Sequence, residues 1–252
     1  GSRVVLKQLR LDRLDDWKSM ELFEREARVL RELDHPHIVG YVDEFTVDDT
    51  GSMVLVQRYV EGATLVEIMR EGRPLDAHTM ARWFQQMLDV CAYLHGLSPP
   101  VIHRDISPKN IILSEDGRAT LIDFGTVQAA LRSANSISST SAGTFGYASM
   151  EQMIGRAIPQ SDLYGLGMTF IAVATGKHPE DLPFKGSRVD VRAALENSEH
   201  DARLRLALEE MTHPDADSRP ESARKLLERL QPLWDAIDDG VGDRDDPLPL
   251  PR

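Results

Sequence analysis

Cysteine, long apolar segments and clustered basic residues are all scarce in this 252-residue chain. The single cysteine, Cys91, excludes an intrachain disulfide and is consistent with a reducing compartment. The longest apolar run, at 168–174, is far shorter than the roughly 20 residues that a helix needs to cross a bilayer. A formal net charge of −12 without a basic run argues against nucleic acid and anionic membranes as main partners. We therefore expect a cytoplasmic protein, or the cytoplasmic domain of a larger one, with no membrane segment in this chain.

Two acids and one amide stand at fixed spacing in the segment 103–125. The sequence His-Arg-Asp-Ile-Ser-Pro-Lys-Asn places Asp105 and Asn110 in one loop, and Asp-Phe-Gly places Asp123 in the next. Phosphoryl transfer needs a carboxylate that accepts the proton of the attacking hydroxyl, and oxygen ligands that hold a metal ion against the phosphates. The alternative is a chance loop with surface acids, which the joint spacing makes much less favourable.

This segment resembles the catalytic loop and the metal-binding triplet of the eukaryotic-like (Hanks-type) Ser/Thr protein kinases, especially their bacterial branch. The resemblance implies an α+β, two-lobed protein-kinase-like fold with a truncated small β-rich N-lobe and a mainly helical C-lobe. It also implies that ATP and Mg²⁺ bind between the lobes, that Asp105 is the catalytic base, and that Asn110 and Asp123 are the metal ligands. Both Asn110 and Asp123 are thereby expected to take part in nucleotide binding.

Apolar periodicity and turn residues predict the order of the elements. In the N-lobe, 1–60, we expect strands at 4–9, 38–45 and 53–59, a helix at 15–33 and a turn at 48–52. Glu61-Gly62 reads as the linker to the C-lobe, 61–237. There we expect a strand pair at 111–113 and 119–122, a mobile loop at 129–142, and helices at 64–70, 76–97, 161–175, 189–195, 201–211 and 222–230. The acidic, proline-rich segment 238–252 is expected to be disordered.

Lys7 ends the sequence Val-Val-Leu-Lys, which is similar to the family's strand with its phosphate-binding lysine. The resemblance implies that Lys7 binds the α- and β-phosphates and that Glu26, nineteen positions later, pairs with it. Glu24 is the competing partner, although it points about 200° away around the helix. The alternative for Glu26 is a solvated helix charge.

The catalytic loop contains one departure from the family pattern. Ser107 occupies the place where Ser/Thr kinases usually carry a lysine that contacts the γ-phosphate, and Lys109 follows two residues later. Lys109 either replaces that lysine in nucleotide binding or points to solvent. By resemblance, His103 is a structural residue packed with Phe124 and Leu30.

The segment from Asp123 to Glu151 resembles an activation segment. Thr144, in Gly-Thr-Phe-Gly-Tyr, is implied to hydrogen-bond Asp105 and to help select Ser and Thr hydroxyls. Glu151 is implied to form a buried structural ion pair with Arg219. Asp162 is implied to anchor the catalytic loop from the helix below.

A regulatory cluster is expected in the same segment. Its candidate phosphorylation sites are Ser133, Ser136, Ser138, Ser139, Thr140 and Ser141. Arg104 is implied to pair with a phosphorylated residue there. The alternative is a polar loop that is simply solvated.

Gln57 falls at the family's gatekeeper position, and Arg58, Tyr59 and Val60 fall at the hinge. The resemblance implies that backbone groups there bind adenine, so the identity of these side chains is expected to matter little.

The family's Gly-rich loop is missing from this chain, in which only six residues precede Lys7. The opening Gly1-Ser2 resembles the scar of a removed tag, so truncation and natural absence both stay open. Without the loop we expect weaker ATP binding. The main reading is a Ser/Thr protein kinase that acts on protein hydroxyls and autophosphorylates. The second is a pseudokinase that binds nucleotide or protein as a scaffold, and the third, least favoured, is a small-molecule phosphotransferase.

Overall fold

A three-stranded antiparallel sheet and one helix form the first part of the chain. The computed structural model describes residues 3–9, 17–47, 52–129, 144–196, 198 and 200–238. Strands β1 (Val4–Leu9), β2 (Tyr41–Val47) and β3 (Ser52–Arg58) pair in the order β1-β3-β2. Helix α1 (Trp17–Glu32) lies between β1 and β2 in sequence.

Helix α1 packs on this sheet through one apolar face. Phe23, Ala27 and Leu30 are buried and belong to the same apolar cluster as Leu55 of β3. Their spacing of four and three residues places them on one side of a helix. This packing fixes the rotation of α1, so the neighbouring Glu26 is also buried.

The second part of the chain is mainly helical. Its helices are α2 (Leu65–Arg70), α3 (Ala77–Gly96), α4 (Met150–Met153), α5 (Pro159–Thr175), α6 (Val191–Ala194), α7 (Ala202–Met211) and α8 (Ala223–Asp238). Its strands are β4 (Ala63–Thr64), β5 (Val101–Ile102), β6 (Ile111–Leu113), β7 (Ala119–Leu121), β8 (Gln128–Ala129), β9 (Phe184–Lys185) and β10 (Arg188–Val189). Strands β4, β6 and β7 form a sheet in the order β4-β6-β7. Strand β5 pairs with β8, and β9 pairs with β10.

Local sequence explains where these helices begin and end. Thr64 and Glu67 form a capping box at the start of α2, and Asp76 accepts a 2.7 Å hydrogen bond from the Thr79 N–H at the start of α3. Gly176 has a φ of 65°, and it ends α5 in the left-handed conformation that glycine adopts without strain.

Helices α3 and α5 form the centre of the large core. Trp83 and Phe84 of α3 meet Phe170 of α5 at ring-centroid distances of 5.7 and 5.1 Å. All three rings are fully buried. This helix pair packs against β5, and α3 also packs against β7; the loops after these two strands hold the residues singled out by the sequence.

The expected α+β architecture of a small sheet-containing lobe and a larger helical lobe is confirmed. The expected strand at 38–45 begins later, at Tyr41, because Ile38 forms only an isolated bridge with Leu121. The expected helix at 189–195 is also shorter, since Val189 ends β10 and Asp190 caps α6 through the Ala193 N–H at 3.2 Å.

The expected end of the last helix at residue 230 is wrong. Helix α8 continues to Asp238 through Pro232, because Leu233 and Trp234 add a further buried turn. Helix α4 and the β9–β10 hairpin were not expected. The turn at 48–51, the loop at 130–143 and the tail at 239–252 lie outside the described residues.

Among the helices that the structure describes, none is both long and apolar enough to span a lipid bilayer.

Candidate active site

Lys7 joins two acidic residues that are far apart in sequence. Its Nζ lies 2.6 Å from Glu26 Oε2 on α1 and 2.8 Å from Asp123 Oδ1 in the loop after β7. Glu26 is 1% exposed, whereas the Lys7 and Asp123 side chains remain partly open to solvent. The pairing of Lys7 with Glu26 selects Glu26 over Glu24, which lies exposed on the same helix.

Gly125 makes this approach possible. A Cβ at position 125 would lie 3.3 Å from both Asp123 Oδ1 and Glu26 Oε2, and 3.7 Å from Lys7 Nζ. A side chain there would crowd the Asp123 and Glu26 carboxylates and would touch the Lys7 Nζ. The glycine of the Asp-Phe-Gly triplet therefore has a packing role beside the lysine.

The protonation of these three groups is set by burial and by their mutual charge. Burial raises the pKa of Glu26 despite the opposing effect of Lys7. Burial opposes the charge of Lys7, but Glu26 and Asp123 together raise the Lys7 pKa. Burial also opposes ionisation of Asp123, but the hydrogen bond and charge of Lys7 lower its pKa. A charged lysine and a charged Asp123 are therefore favoured, which is the state that phosphates and a divalent metal ion would require.

Asp105 is held by donors on both carboxylate oxygens. Its Oδ1 accepts hydrogen bonds from the Thr144 N–H at 3.0 Å and the Thr144 Oγ1 at 2.7 Å. Its Oδ2 accepts from Asn110 Nδ2 at 2.9 Å and lies 3.0 Å from Lys109 Nζ. A carboxylate has about four acceptor sites, so an incoming hydroxyl must displace one of these partners.

Asn110 and Asp123 carry the oxygen donors that could hold a divalent metal. The Nδ2 of Asn110 also donates to the Asp105 carbonyl at 2.8 Å, which leaves Asn110 Oδ1 for a ligand. Carboxylate and amide oxygens are the hard ligands that Mg²⁺ prefers, with water and phosphate oxygens completing its coordination. The donor set therefore fits such an ion. Within the described residues no cluster of three or more His, Cys, Asp or Glu side chains could hold a metal by itself.

Asp162 of α5 fixes the start of the catalytic loop. Its carboxylate accepts hydrogen bonds from the backbone N–H groups of His103 at 2.9 Å and Arg104 at 2.8 Å, and contacts His95 Nε2 at 2.9 Å. Burial opposes ionisation of Asp162, but His95 and these other partners lower its pKa. The clamp holds Arg104 at a φ of 70°, in the left-handed region that non-glycine residues rarely adopt.

His103 lies in the buried core, next to the triplet that contains Asp123. Its ring is fully buried and meets Phe124 edge to face at a centroid distance of 4.8 Å. Burial lowers its pKa, so the neutral ring is favoured. Leu30 and Phe124 are members of the same buried apolar cluster, which links α1 to the loop that carries Asp123.

The structure decides between the two orientations that the sequence left open for Lys109. The residues Pro108–Asn110 form a single 3₁₀ turn, which brings Lys109 Nζ to 3.0 Å from Asp105 Oδ2 while half of the Lys109 side chain stays exposed. Ser107 is fully buried, and its Oγ lies 3.5 Å from the Thr144 Oγ1. The cation of this loop is therefore supplied four residues after Asp105.

Arg104 is buried, yet its Nε and Nη2 have no hydrogen-bond partner among the described residues. Burial and the nearby charge of Arg25 lower its pKa. The candidate phosphorylation sites Ser133, Ser136, Ser138, Ser139, Thr140 and Ser141 lie outside the described residues.

A tight turn places Thr144 against Asp105. The Tyr147 N–H donates to the Thr144 carbonyl at 3.0 Å, and Gly146 adopts a φ of 83° within the turn. A Cβ at Gly146 would lie only 2.6 Å from Pro179, so the turn requires glycine on both steric and conformational grounds. Tyr147 is buried and Phe145 points outward.

Glu151 and Arg219 form the expected ion pair. Arg219 Nη1 lies 2.7 Å from Glu151 Oε1, and Arg219 Nη2 donates to Glu151 Oε2 at 3.2 Å. Burial opposes ionisation of Glu151, but hydrogen bonds from Arg219, Ser149 and Ser161 lower its pKa to about 2. The pair fastens the end of the activation segment to the loop before α8, and Arg219 Nη1 also donates to the Gln160 carbonyl at the start of α5 at 3.0 Å.

The connection between the lobes runs from Arg58 to Ala63. The Tyr59 N–H donates to the Arg3 carbonyl at 3.2 Å, so it is not free to bind a nucleotide base. Among the three hinge residues singled out, Val60 is the one whose N–H has no backbone partner within the part of the chain that the structure describes. Gln57 is buried beside this connection.

Sequence reasoning missed two supporting residues. His95 contacts Asp162, and Gln152 Nε2 donates to the Arg104 carbonyl. Neither residue lies in a motif with a characteristic spacing, and each is recognisable only when helices distant in sequence are brought together.

Comparison with known proteins gives one family. A sequence model described as the protein kinase domain matches residues 1–233. Serine/threonine-protein kinase PknA of Nostoc sp. is 35% identical over 225 residues, covering 84% of this chain and 38% of that protein. Serine/threonine-protein kinase PrkC of Bacillus subtilis is 34% identical over 179 residues, covering 71% and 27%. Serine/threonine-protein kinase pkn2 of Myxococcus xanthus is 30% identical over 254 residues, covering 94% and 30%. This chain thus spans less than two fifths of the length of each of these relatives.

Proposed function

The chain belongs to the protein kinase family, and from that premise we propose that it transfers the γ-phosphate of ATP to Ser and Thr hydroxyls of proteins. The observation that carries the proposal is the convergence on Lys7 of Glu26 and Asp123, at 2.6 and 2.8 Å. Three segments distant in sequence place their charges at one point, which solvated surface charges would not do. We also propose that the N-lobe ends at residue 60 and that the C-lobe starts at 61, with the expected boundary between C-lobe and tail moved from 237/238 to 238/239 because α8 includes Asp238.

In this proposal, Lys7 holds the α- and β-phosphates, and Glu26 holds Lys7 in position. Asn110 Oδ1 and the Asp123 carboxylate are the ligands for Mg²⁺, which supplies neutralisation of the phosphate charge when it is bound. Lys109 provides a cation beside Asp105, where the γ-phosphate would arrive. Adenine would lie against the backbone of Arg58, Tyr59 and Val60, with the Val60 N–H as the donor.

Asp105 is the proposed base. A substrate hydroxyl that enters the site takes over one acceptor position on the Asp105 carboxylate and donates its proton there as its oxygen attacks the γ-phosphorus, while the bond from that phosphorus to the bridging oxygen breaks and ADP leaves. The Thr144 hydroxyl, 2.7 Å from Asp105 Oδ1, orients the carboxylate for this step. Thr144 would also favour the short Ser and Thr side chains over the longer Tyr.

We also propose regulation by autophosphorylation, because the buried Arg104 side chain is suited to binding a phosphate group. Its buried guanidinium has two nitrogens without a hydrogen-bond partner within the described ranges, so it is suited to an anion. The proposed anion is a phosphorylated residue among Ser133, Ser136, Ser138, Ser139, Thr140 and Ser141. Mass spectrometry of protein incubated with ATP that finds no phosphate at 129–144 would count against this part.

The test is transfer from labelled ATP with Mg²⁺ to a generic protein substrate, run beside Asp105→Asn. We expect labelled phosphoserine or phosphothreonine with the unmodified protein, and a loss on the order of a thousandfold in Asp105→Asn because the proton acceptor is removed. Nucleotide binding, followed by calorimetry, should remain in the variant.

A pseudokinase is the second candidate, and Ser107 favours it. A buried hydroxyl stands where the family usually presents a cation to the γ-phosphate. Measurable ATP binding without label above the Asp105→Asn background would contradict the kinase proposal and support a nucleotide-binding scaffold.

A further inference from the structure

Gln57 buries an amide nitrogen that has no hydrogen-bond partner within the described part of the chain. Its side chain is 7% exposed, and its Nε2 makes no hydrogen bond among the described residues. A buried donor without an acceptor destabilises the folded state by about 1–3 kcal/mol, so such groups are uncommon unless an ordered water or a ligand satisfies them.

The register of the small sheet shows which way Gln57 points. Lys7 is paired with Leu55, and Val5 is paired with Gln57, in the antiparallel ladder of β1 and β3. Residues directly opposite each other in such a ladder lie on the same face of the sheet, and residues two apart on one strand share that face. Gln57 therefore lies on the same face as Lys7, about 7 Å further toward the connection between the lobes.

An exposed aliphatic side chain lies next to this amide. Val5, the cross-strand partner of Gln57, is 42% exposed on the same face. An exposed aliphatic surface next to one unpartnered polar group is the arrangement expected of a site for a flat, mainly apolar ring that carries a polar edge. A purine base whose phosphates reach Lys7 fits this arrangement.

We propose that the Gln57 carboxamide hydrogen-bonds the substituent at position 6 of a purine nucleotide, and that the protein therefore accepts 6-oxo as well as 6-amino purine triphosphates. The amide can accept a hydrogen bond through its oxygen or donate one through its nitrogen, depending on how it is rotated. It thus satisfies a 6-amino group in one orientation and a 6-oxo group in the other. This inference rests on the proposed nucleotide site, and it changes the expectation that side-chain identity at position 57 matters little.

The first experiment measures whether Gln57 and the 6-substituent are coupled. Dissociation constants with Mg²⁺ are measured for ATP and for purine riboside triphosphate, which has no 6-substituent, with the unmodified protein and with Gln57→Met. We expect loss of the 6-amino group to weaken binding about fivefold more in the unmodified protein than in the Met variant, since only the former can lose that hydrogen bond.

The second experiment converts the amide into an acceptor only. Gln57→Glu should still bind ATP but should weaken inosine triphosphate, a 6-oxo nucleotide, by at least about tenfold more than ATP, because two acceptors would then face each other. The unmodified protein should bind the two nucleotides within about tenfold of each other. The matched control is Val56→Met, since Val56 is equally buried at 7% but its partner is Leu6, on the opposite face of the sheet.

The stability of the nucleotide-free protein separates a ligand-binding role from a structural one. Gln57→Met removes the unpaired donor and keeps a similar volume, so it should unfold at the same temperature as the unmodified protein or higher. The inference is overturned if the 6-substituent contributes equally with Gln57 and with Met, or if Gln57→Glu leaves the ratio of the two dissociation constants unchanged. Either of these results would leave the proposed kinase activity intact. Conversely, the protein could show the expected coupling between Gln57 and the 6-substituent but no transfer that depends on Asp105. That outcome would contradict the kinase activity and would leave the inference about Gln57 standing.

Discussion

The ammonium nitrogen of Lys109 lies 3.0 Å from Asp105 Oδ2, four residues away along the chain. The 3₁₀ turn at Pro108–Asn110 makes this contact possible, because a strand-like step from Ser107 could have directed Lys109 either way. The positive charge stands beside the carboxylate that would receive the hydroxyl proton. Under the proposed function, this contact is the reason why Ser107 need not abolish transfer.

Lys109→Met should lower kcat while leaving ATP affinity nearly unchanged. We expect a loss on the order of a hundredfold, since the lysine would stabilise charge that develops on the γ-phosphate during transfer. Steady-state kinetics with separate kcat and KM values check this. Lys109→Arg should recover part of the rate because it keeps the charge.

Lys177→Met is the matched control, because Lys177 is exposed and lies in the loop after α5. A Lys109→Met enzyme with unchanged kcat would show that the 3.0 Å contact has no part in the reaction.

Glu26→Gln should reduce kcat/KM by about a hundredfold without unfolding the protein. The variant keeps the shape of the buried side chain but removes the charge that raises the Lys7 pKa and fixes the position of its Nζ. Kinetics, together with the circular dichroism of the folded protein, check this. Glu24→Gln, on the exposed face of the same helix, is the control, and an equal loss in both variants would contradict the assigned pairing.

The charged residues of the site could be predicted from sequence for two reasons. Some lie only a few residues apart in one motif, and the others are separated by a strand and a helix of fixed length. Lys7, Glu26 and Asp123 each lie in a short motif whose neighbours define it. The contact of Lys109 could not be predicted, because it depends on one turn whose conformation the sequence leaves open. The roles of His95 and Gln152 depend on the packing of α3 and α4 against the catalytic loop, which no local pattern records.

The elements of the fold could likewise be predicted where the sequence pattern is local, and not where tertiary packing decides. Apolar periodicity gave the long helices α1, α3 and α5 to within two residues at most of their ends, because each has a wide buried face. The end of α8 was missed because Pro232 suggests a helix stop, whereas burial of Leu233 and Trp234 outweighs the lost backbone hydrogen bond. Tertiary packing decides such cases, and local propensity does not.

Glu151→Gln should destabilise the protein at neutral pH, and the difference from the unmodified protein should vanish in acid. Glu151 has a pKa of about 2 in the folded protein against an ordinary value of 4.5, so its charge stabilises the folded state by about 3 kcal/mol. That contribution is complete above pH 4.5, falls as the pH drops toward 2, and is absent below the folded-state value. Urea unfolding of both proteins at pH 7, 5 and 3 measures it. Glu221→Gln, which breaks an exposed pair with Lys225, should change stability little at any pH. A Glu151→Gln deficit at pH 3 as large as that at pH 7 would mean that lost packing, and not the charge of Glu151 beside Arg219, accounts for it.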